Sequence, residues 1–266
     1  MAETLRRVAE DLAAEHAALA GVLRKMTPAQ WDIPTHAPGW AVRDQVTHLA
    51  VFDEAAALAI IDPAAFRASA HALGPDFEAA YLAKGRAMSH GQLLAWWDHA
   101  STSLVAASRG VDGRARLPWY GPDMSGVSFI TARLMECWSH GLDVVDVAGI
   151  PRPDTDRLHH VAFIGVRARP YSYTNRRLDV PAIPVRICLT SPSGETWELG
   201  EPSEENVVRG TATDFCRVVT RRRHLSDTAL DVTGPAAREW LEIAQAFAGP
   251  PGEGRRPGQF PRETTA

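Results

Sequence analysis

Cysteine is scarce in this chain, with three residues scattered over 266 positions: Cys137, Cys188 and Cys216. Three widely separated thiols are too few for a disulfide framework or a cysteine-rich zinc knuckle. None of the three lies in a motif typical of a catalytic cysteine. The sequence therefore excludes those classes of protein and is typical of a reducing compartment, so we expect a cytoplasmic location.

Long apolar runs and a strong excess of one charge are also missing. No run reaches 18 apolar residues, so the sequence predicts no membrane-spanning helix. The opening segment MAETLRRVAEDLAAEH lacks the apolar core of a signal peptide. A formal net charge of −4 gives no reason to expect nucleic acid or an anionic membrane as a partner.

The first 150 residues show the three- and four-residue spacing of apolar side chains that is typical of amphipathic helices. The predicted helices span about 3–25, 41–61, 76–109 with a break near 85–91, and 125–148. Asp62-Pro63 is expected to end the second helix. Four long helices joined by loops predict a four-helix bundle over residues 1–150.

After position 150 the pattern changes to shorter elements. PVRICLTSP and GETWELGE predict two strands joined by a turn. Further along, the sequence predicts a helix over 212–223, a strand over 229–234 and a helix over 235–248. This mixture predicts a smaller α+β domain over 151–249. The composition of PPGEGRRPGQFPRETTA predicts a disordered tail over 250–266.

The segment MECWSH in the fourth predicted helix places Glu136 and His140 four residues apart, on one helix face. His48, in VRDQVTHLAVFDEA, lies beside the apolar stripe of the second predicted helix. Bundles bind metals with inward Glu and His side chains of facing helices, and such a set suits zinc, nickel, iron or manganese. Spacing alone leaves two alternatives open: an exposed Glu–His pair, and a half-buried, hydrogen-bonded His48. Asp143 is expected either to accept a hydrogen bond from a ligand imidazole or to be solvated.

Two longer segments carry a resemblance to a known family. PTHAPGWAVRDQVTHLA and RLMECWSHGLDVVDVAG are similar to motifs of the DinB-like metal-binding superfamily, and within it of the mycothiol-dependent maleylpyruvate isomerase-like family. The resemblance implies a DinB-like bundle with a divalent metal, most often Zn²⁺, bound by His48, Glu136 and His140. It also implies mycothiol, a low-molecular-weight thiol, as a cofactor. The region TDFCRVVTRRRHLSDTALDVTG resembles a sterol-carrier-like C-terminal extension of one metal-binding subfamily.

Arginines cluster in the predicted α+β domain, above all Arg221, Arg222 and Arg223. A guanidinium group binds a carboxylate through two parallel hydrogen bonds. The resemblance implies that an arginine of the C-terminal domain assists catalysis, so these three residues are catalytic candidates. The alternative is that all three are solvated surface residues.

These observations predict a divalent-metal-dependent enzyme that activates a thiol or water for addition to a small electrophilic, anionic substrate. The reaction would resemble that of a maleylpyruvate isomerase or a thiol transferase. Two alternatives stay open: a metal-dependent hydrolase or lyase without a thiol cofactor, and a non-catalytic module that binds a metal or an acyl ligand. We expect a small-molecule substrate, no nucleic-acid or membrane partner, and a monomer or homodimer.

Overall fold

The structure is a computed structural model and describes residues 2–260. The chain divides into two compact units, Met1–Arg152 and Pro153–Ala266. Unit 1 is helical, whereas unit 2 combines short helices with a four-stranded sheet. This arrangement confirms the predicted fold class. Within residues 2–260, no helix combines the length and the apolar character needed to cross a bilayer.

Over residues 2–152, unit 1 consists of six α-helices, a short 3-10 helix and one small strand pair. The helices are α1 (Ala2–Leu23), α2 (Val42–Ile61), α3 (Pro63–His71), α4 (Phe77–Arg86), α5 (His90–Ser108) and α6 (Gly126–Ala148). The 3-10 helix spans Pro28–Asp32, and β1 (Arg116–Leu117) pairs antiparallel with β2 (Met124–Ser125).

The four long helices α1, α2, α5 and α6 form the bundle. Helix α1 packs on α5 and α6, and α2 packs on the same two helices. The apolar stripes meet in a core that includes Leu19, Leu49, Trp97 and Val144, all fully buried. Burial of each such side chain stabilises the fold by about 1.5–3 kcal/mol. Polar side chains that face this interior must therefore find partners within it.

Between α2 and α5, short sequence signals determine where two helices begin. The expected break in the third predicted helix is confirmed, because Ser89 caps α5 by accepting a hydrogen bond from the Gln92 amide. Helix α3 was not predicted, since Asp62-Pro63 indicated only an end. The Asp62 carboxylate also accepts a hydrogen bond from the Ala65 amide, and Pro63 occupies the first helical position. The same dipeptide thus ends α2 and begins α3.

Unit 2 is built around one mixed sheet. Its elements are α7 (Leu158–Arg167), α8 (Arg169–Thr174), β3 (Arg186–Thr190), β4 (Thr196–Gly200), β5 (Val207–Thr211), α9 (Ala212–Val219), a 3-10 helix (Leu225–Asp227), β6 (Asp231–Thr233) and α10 (Pro235–Ile243). The strand order is β4-β3-β5-β6, and only the β3–β5 pair is parallel. Strands β3, β4 and β6 and helices α9 and α10 match predicted elements, whereas α7, α8 and β5 were not predicted.

The described part of the tail makes specific contacts within unit 2. Residues 250–260 contain no helix or strand, but the amides of Gly258 and Phe260 donate hydrogen bonds to the Asp227 carboxylate. The Arg223 guanidinium lies 3.8 Å from the centroid of the Phe260 ring. Composition predicted a disordered tail over 250–266. Composition cannot indicate a specific contact such as the two backbone hydrogen bonds accepted by Asp227. Residues 261–266 lie outside the described part of the chain.

Candidate metal centre

The structure brings together the three residues predicted as metal ligands. His48 lies on α2, and Glu136 and His140 lie on α6; one ligand atom of each is within 4.8 Å of the other two. Glu136 Oε2 is 3.1 Å from His140 Nε2 and 3.8 Å from His48 Nε2. Ligand atoms of a tetrahedral zinc site, with bonds of about 2.0–2.1 Å, are about 3.3 Å apart. The observed separations lie on either side of that value.

Access to the three side chains is restricted but not closed. The exposed fractions are 17% for His48, 20% for Glu136 and 13% for His140. The two imidazole rings are 4.3 Å apart, centroid to centroid, so the ligand atoms are concentrated in a small volume. A cation held by these side chains would be shielded from most of the solvent, and their partial exposure is compatible with the open coordination position of a catalytic site.

A chain of hydrogen bonds orients His140. Its Nδ1 atom lies 2.6 Å from Gln45 Oε1, and the Gln45 Nε2 amide donates to Thr35 Oγ1 at 2.8 Å. The Thr35 hydroxyl donates in turn to the carbonyl oxygen of Trp40 at 2.9 Å. Since Gln45 is fully buried and its amide group is engaged, its oxygen accepts from Nδ1–H of His140. The lone pair of Nε2 is then directed toward Glu136.

His48 is held in a similar way. Its Nδ1 atom is 3.3 Å from the hydroxyl oxygen of Tyr81, which leaves Nε2 on the side of Glu136. Burial, and then the charge of His140, lower the pKa of His48 to about 4. Burial and the charges of Glu78 and Asp44 raise the pKa of Tyr81, so its hydroxyl group stays protonated. A neutral imidazole is the form that binds metals.

The donor set fits a divalent cation. Burial alone would raise the pKa of Glu136, but the adjacent imidazoles of His140 and His48 outweigh it and hold that pKa well below its usual range. Glu136 is therefore an anion between two imidazoles. His140 also faces two acceptor oxygens, of Gln45 and Glu136, and a neutral imidazole has only one proton to donate. A cation bound at Nε2 would satisfy both oxygens, which is the observation that supports a metal here.

A buried ion pair links the bundle helices close to this centre. Asp53 of α2 is fully buried, and its Oδ1 atom accepts two hydrogen bonds from the Arg133 guanidinium of α6, at 2.9 and 3.1 Å. Its Oδ2 atom accepts from Trp97 Nε1 of α5 at 3.1 Å and lies 3.4 Å from His16 Nε2 of α1. All four bundle helices thus converge on one carboxylate. Sequence reasoning missed this set, although its position on the apolar stripe of α2 marked Asp53 as a polar residue in need of partners.

Arg221, one of the three arginines predicted as catalytic, follows α9 in unit 2. It has a left-handed backbone (φ 60°) and a half-buried side chain. Burial, and then the charge of Arg176, lower the pKa of Arg221 to about 10. Its Nη1 atom is 3.5 Å from Gln245 Oε1, and no carboxylate within residues 2–260 forms an ion pair with it.

Arg222 and Arg223 have different surroundings. Arg222 donates from Nη1 to the carbonyl oxygen of Thr220 at 2.8 Å, and its guanidinium lies 5.9 Å from the Phe247 ring centroid. Arg223 donates to the carbonyl oxygen of Arg222 and stacks on Phe260. These side-chain contacts differ among the three arginines.

The comparisons with known proteins concern the family and the fold of the chain. Residues 12–145 match the family model of the mycothiol maleylpyruvate isomerase N-terminal domain. Uncharacterized proteins from two strains of Mycobacterium tuberculosis are 42% identical over 251 residues, which is 92% of this chain and 96% of each relative. Two crystal structures of the mycothiol-dependent maleylpyruvate isomerase, one of them of a mutant, share the fold with a TM-score of 0.56 at 15% and 16% identity, over 82% of this chain and 90% of theirs. The chain therefore belongs to the maleylpyruvate isomerase-like family of the DinB-like superfamily.

Proposed function

We propose that this protein is a divalent-metal-dependent enzyme that adds a low-molecular-weight thiol to a small electrophilic substrate, as an isomerase or a thiol transferase. The observation that carries the proposal is the convergence of His48 Nε2, His140 Nε2 and Glu136 Oε2, with both imidazoles held through Nδ1. Membership of the maleylpyruvate isomerase-like family supports mycothiol as the thiol.

A divalent cation bound by His48, Glu136 and His140, most favourably Zn²⁺, would act as a Lewis acid and lower the pKa of a bound thiol or water. The protein's own contribution is orientation. Gln45 and Tyr81 fix the two imidazoles, so that both Nε2 lone pairs face the same point. The buried Asp53–Arg133 pair joins α2 to α6, the two helices that carry the ligands.

The chemical steps require no co-reactant besides the thiol, which an isomerase regenerates and a transferase consumes. A sulfur–carbon bond forms at one end of a conjugated double bond, and the π electrons move toward the neighbouring carbonyl group. In an isomerase, rotation about the new single bond precedes expulsion of the thiolate, which restores the double bond. In a transferase, the carbon takes up a proton and the thiol stays on the product.

An anionic substrate would also need a cation that is free to bind it. Of the three candidates Arg221, Arg222 and Arg223, we favour Arg221 for this role. Its half-buried guanidinium is close enough to Arg176 for that charge to lower its pKa, and it has no carboxylate partner in the described part of the chain. Two guanidinium groups without a counter-ion repel each other, and an anion bound between them would relieve that repulsion.

The test measures turnover of a panel of conjugated carbonyl electrophiles, with maleylpyruvate as the reference compound, by the full chain with and without added Zn²⁺ and mycothiol. We expect turnover that requires both, and the isosteric change Glu136→Gln should reduce kcat/KM by at least about a hundredfold. Two results would contradict the proposal and each favours an alternative. Metal-dependent ester hydrolysis without any thiol points to a hydrolase. Tight retention of metal or acyl ligand without turnover of thiol and electrophile points to a binding module.

A further inference from the structure

Aromatic rings lie against both imidazoles of the metal centre. Trp40 stacks on His140 with ring centroids 5.9 Å apart and an interplanar angle of 20°, and it lies 5.4 Å from His48. Phe52 lies 4.4 Å from His48. Trp40 and Phe52 are both partly exposed, as are the ligands themselves. A molecule that reaches the ligand atoms therefore meets these two rings.

Further rings extend this surface away from the ligands. Four of them lie within 6.3 Å of Phe52, centroid to centroid: Phe77, Tyr81, Trp119 and Tyr120. We call the six residues Trp40, Phe52, Phe77, Tyr81, Trp119 and Tyr120 the aromatic rim. Phe77 and Trp119 are partly exposed and Tyr120 is 41% exposed, whereas Tyr81 is buried. Five of the six rings are therefore at least partly exposed, so the rim is an accessible surface and not part of a closed core.

Two buried phenylalanine rings pack against Trp119 of the rim. Phe66 is buried and stacks on Trp119 with centroids 5.6 Å apart and an interplanar angle of 3°. Phe129 is also buried and meets Trp119 edge to face at 5.1 Å. These contacts fix the position of Trp119 before any ligand arrives. A preformed aromatic wall binds a flat apolar group without a large ordering cost.

Charged groups beside the rim are already paired. The Arg133 guanidinium is 6.0 Å from the Trp119 ring centroid, but it is 4% exposed and hydrogen-bonded to Asp53. Arg67, next to Phe66 in sequence, is paired with Asp123 at 2.8 Å. A carboxylate placed on the rim would lose water without gaining an unpaired cation from these residues. A planar apolar group would gain by displacing water from the rings.

We propose that the rim binds a planar aromatic or extended conjugated group of the substrate, so that the substrate class is an aryl- or polyene-conjugated electrophile rather than a short dicarboxylate. The inference rests on the proposed function only for the position of the reacting carbon at the metal centre. The flat group lies against Phe52, Phe77 and Tyr120, and the conjugated carbonyl group extends toward His48 and Glu136.

The experiment measures dissociation constants of three probes with the full chain, both Zn²⁺-loaded and metal-free. Cinnamamide carries an aromatic ring on a conjugated amide, crotonamide has the same amide without the ring, and fumarate is a short dianion. We expect cinnamamide to bind at least about tenfold more tightly than crotonamide in both forms of the protein. Tyr120→Ala and Phe77→Ala should each weaken cinnamamide binding by about three- to tenfold and leave crotonamide unchanged. Phe163→Ala, which removes a 50% exposed ring in unit 2, is the matched control and should change neither.

Equal binding of the two amides, or rim variants that bind cinnamamide like the wild type, would overturn the inference and assign the rim to packing. Preference for fumarate over both amides would also overturn it. Failure of the proposed function looks different: the protein would retain no metal and show no thiol chemistry, while the metal-free form still preferred cinnamamide. Circular dichroism of each variant, expected to match the wild type, separates loss of a ring contact from loss of the fold.

Discussion

Gln45 Oε1 lies 2.6 Å from His140 Nδ1, although 95 positions separate the two residues in sequence. The contact spans α2 and α6, and it turns the lone pair of His140 Nε2 toward Glu136 Oε2, 3.1 Å away. One buried amide therefore connects the packing of two helices to the geometry of the metal centre.

Loss of that acceptor should weaken metal binding without removing a ligand. We expect Gln45→Leu to reduce Zn²⁺ affinity by about 10- to 100-fold, because His140 loses the partner that orients it. Thr35→Val, which leaves Gln45 Nε2 without its acceptor, should have a smaller effect in the same direction. Competition with a chromogenic chelator measures both. Thr102→Val, at an exposed position of α5, is the control, and wild-type affinity in Gln45→Leu would show that the contact does not orient the ligand.

The buried Asp53–Arg133 pair should contribute strongly to stability. Asp53→Asn leaves the Arg133 guanidinium buried without its counter-ion, and we expect a loss of about 3–5 kcal/mol in the free energy of unfolding. Asp98→Asn breaks the exposed Arg24–Asp98 pair and should cost no more than about 1 kcal/mol. Urea denaturation of the three proteins measures both differences. Equal losses in the two variants would contradict the special role of the buried pair.

The lowered pKa of Asp53 predicts how the stability of the protein depends on pH in acid. Burial would raise the pKa of Asp53, but the charges of Arg133 and His16 outweigh it and hold the pKa below its usual value of 3.8. The unfolded chain therefore binds a proton at a higher pH than the folded one, so the contribution of Asp53 is complete above about pH 5 and is lost as the pH falls through the folded pKa. The stability of wild type should fall more steeply below pH 4 than that of Asp53→Asn. Parallel acid titrations would contradict this assignment.

Gly85 allows α4 to approach α2 closely. A Cβ atom at this position would collide with the side chain of Thr47, the neighbour of His48 in sequence, whereas a Cβ at Gly91 of α5 would meet nothing within 4 Å. We expect Gly85→Ala to destabilise the protein by about 1–3 kcal/mol, and Gly91→Ala to stabilise it by about 0.4–1 kcal/mol. Thermal unfolding measures both. Similar midpoints for the two variants would show that α4 can move away from α2 at little cost.

Alanine variants of Arg221, Arg222 and Arg223 should differ in kcat/KM. Arg221→Ala should lower kcat/KM for an anionic substrate by about 10- to 100-fold with unchanged metal content, because a bidentate contact to a charge contributes about 1.5–3 kcal/mol. Arg222→Ala and Arg223→Ala should behave like wild type, since their guanidinium groups already bind backbone carbonyl oxygens. Three variants with wild-type kcat/KM would assign all three arginines to the protein surface.

The features predicted correctly from the sequence depend on short spacings between residues. The long helices followed from apolar periodicity, and Glu136 and His140 stood out because a four-residue spacing places them on one face of α6. His48 was recognised beside the apolar stripe of its helix. The fold class followed from the change in pattern near position 150.

The contacts that were not predicted join residues that are far apart in the sequence. Arg133 and Asp53 are separated by 80 positions, and no local pattern indicates that they pair. Spacing left two alternatives for Asp143, a partner of a ligand imidazole or a solvated residue. The structure assigns His140 Nδ1 to Gln45 and buries Asp143. Trp119 and Tyr120 belong to the loop between β1 and β2, where no periodicity marks them as neighbours of Phe52.

The central claim is that His48, Glu136 and His140 hold a metal, and elemental analysis of the purified full chain tests it most directly. We expect about one equivalent of divalent metal per chain, zinc before the others. His48→Ala, Glu136→Gln and His140→Ala should each lose most of that metal while keeping wild-type helical content, and His99→Ala, at an exposed position of α5, should keep it. Full metal occupancy in the three ligand variants, or a wild-type chain that binds no divalent metal, would contradict the account.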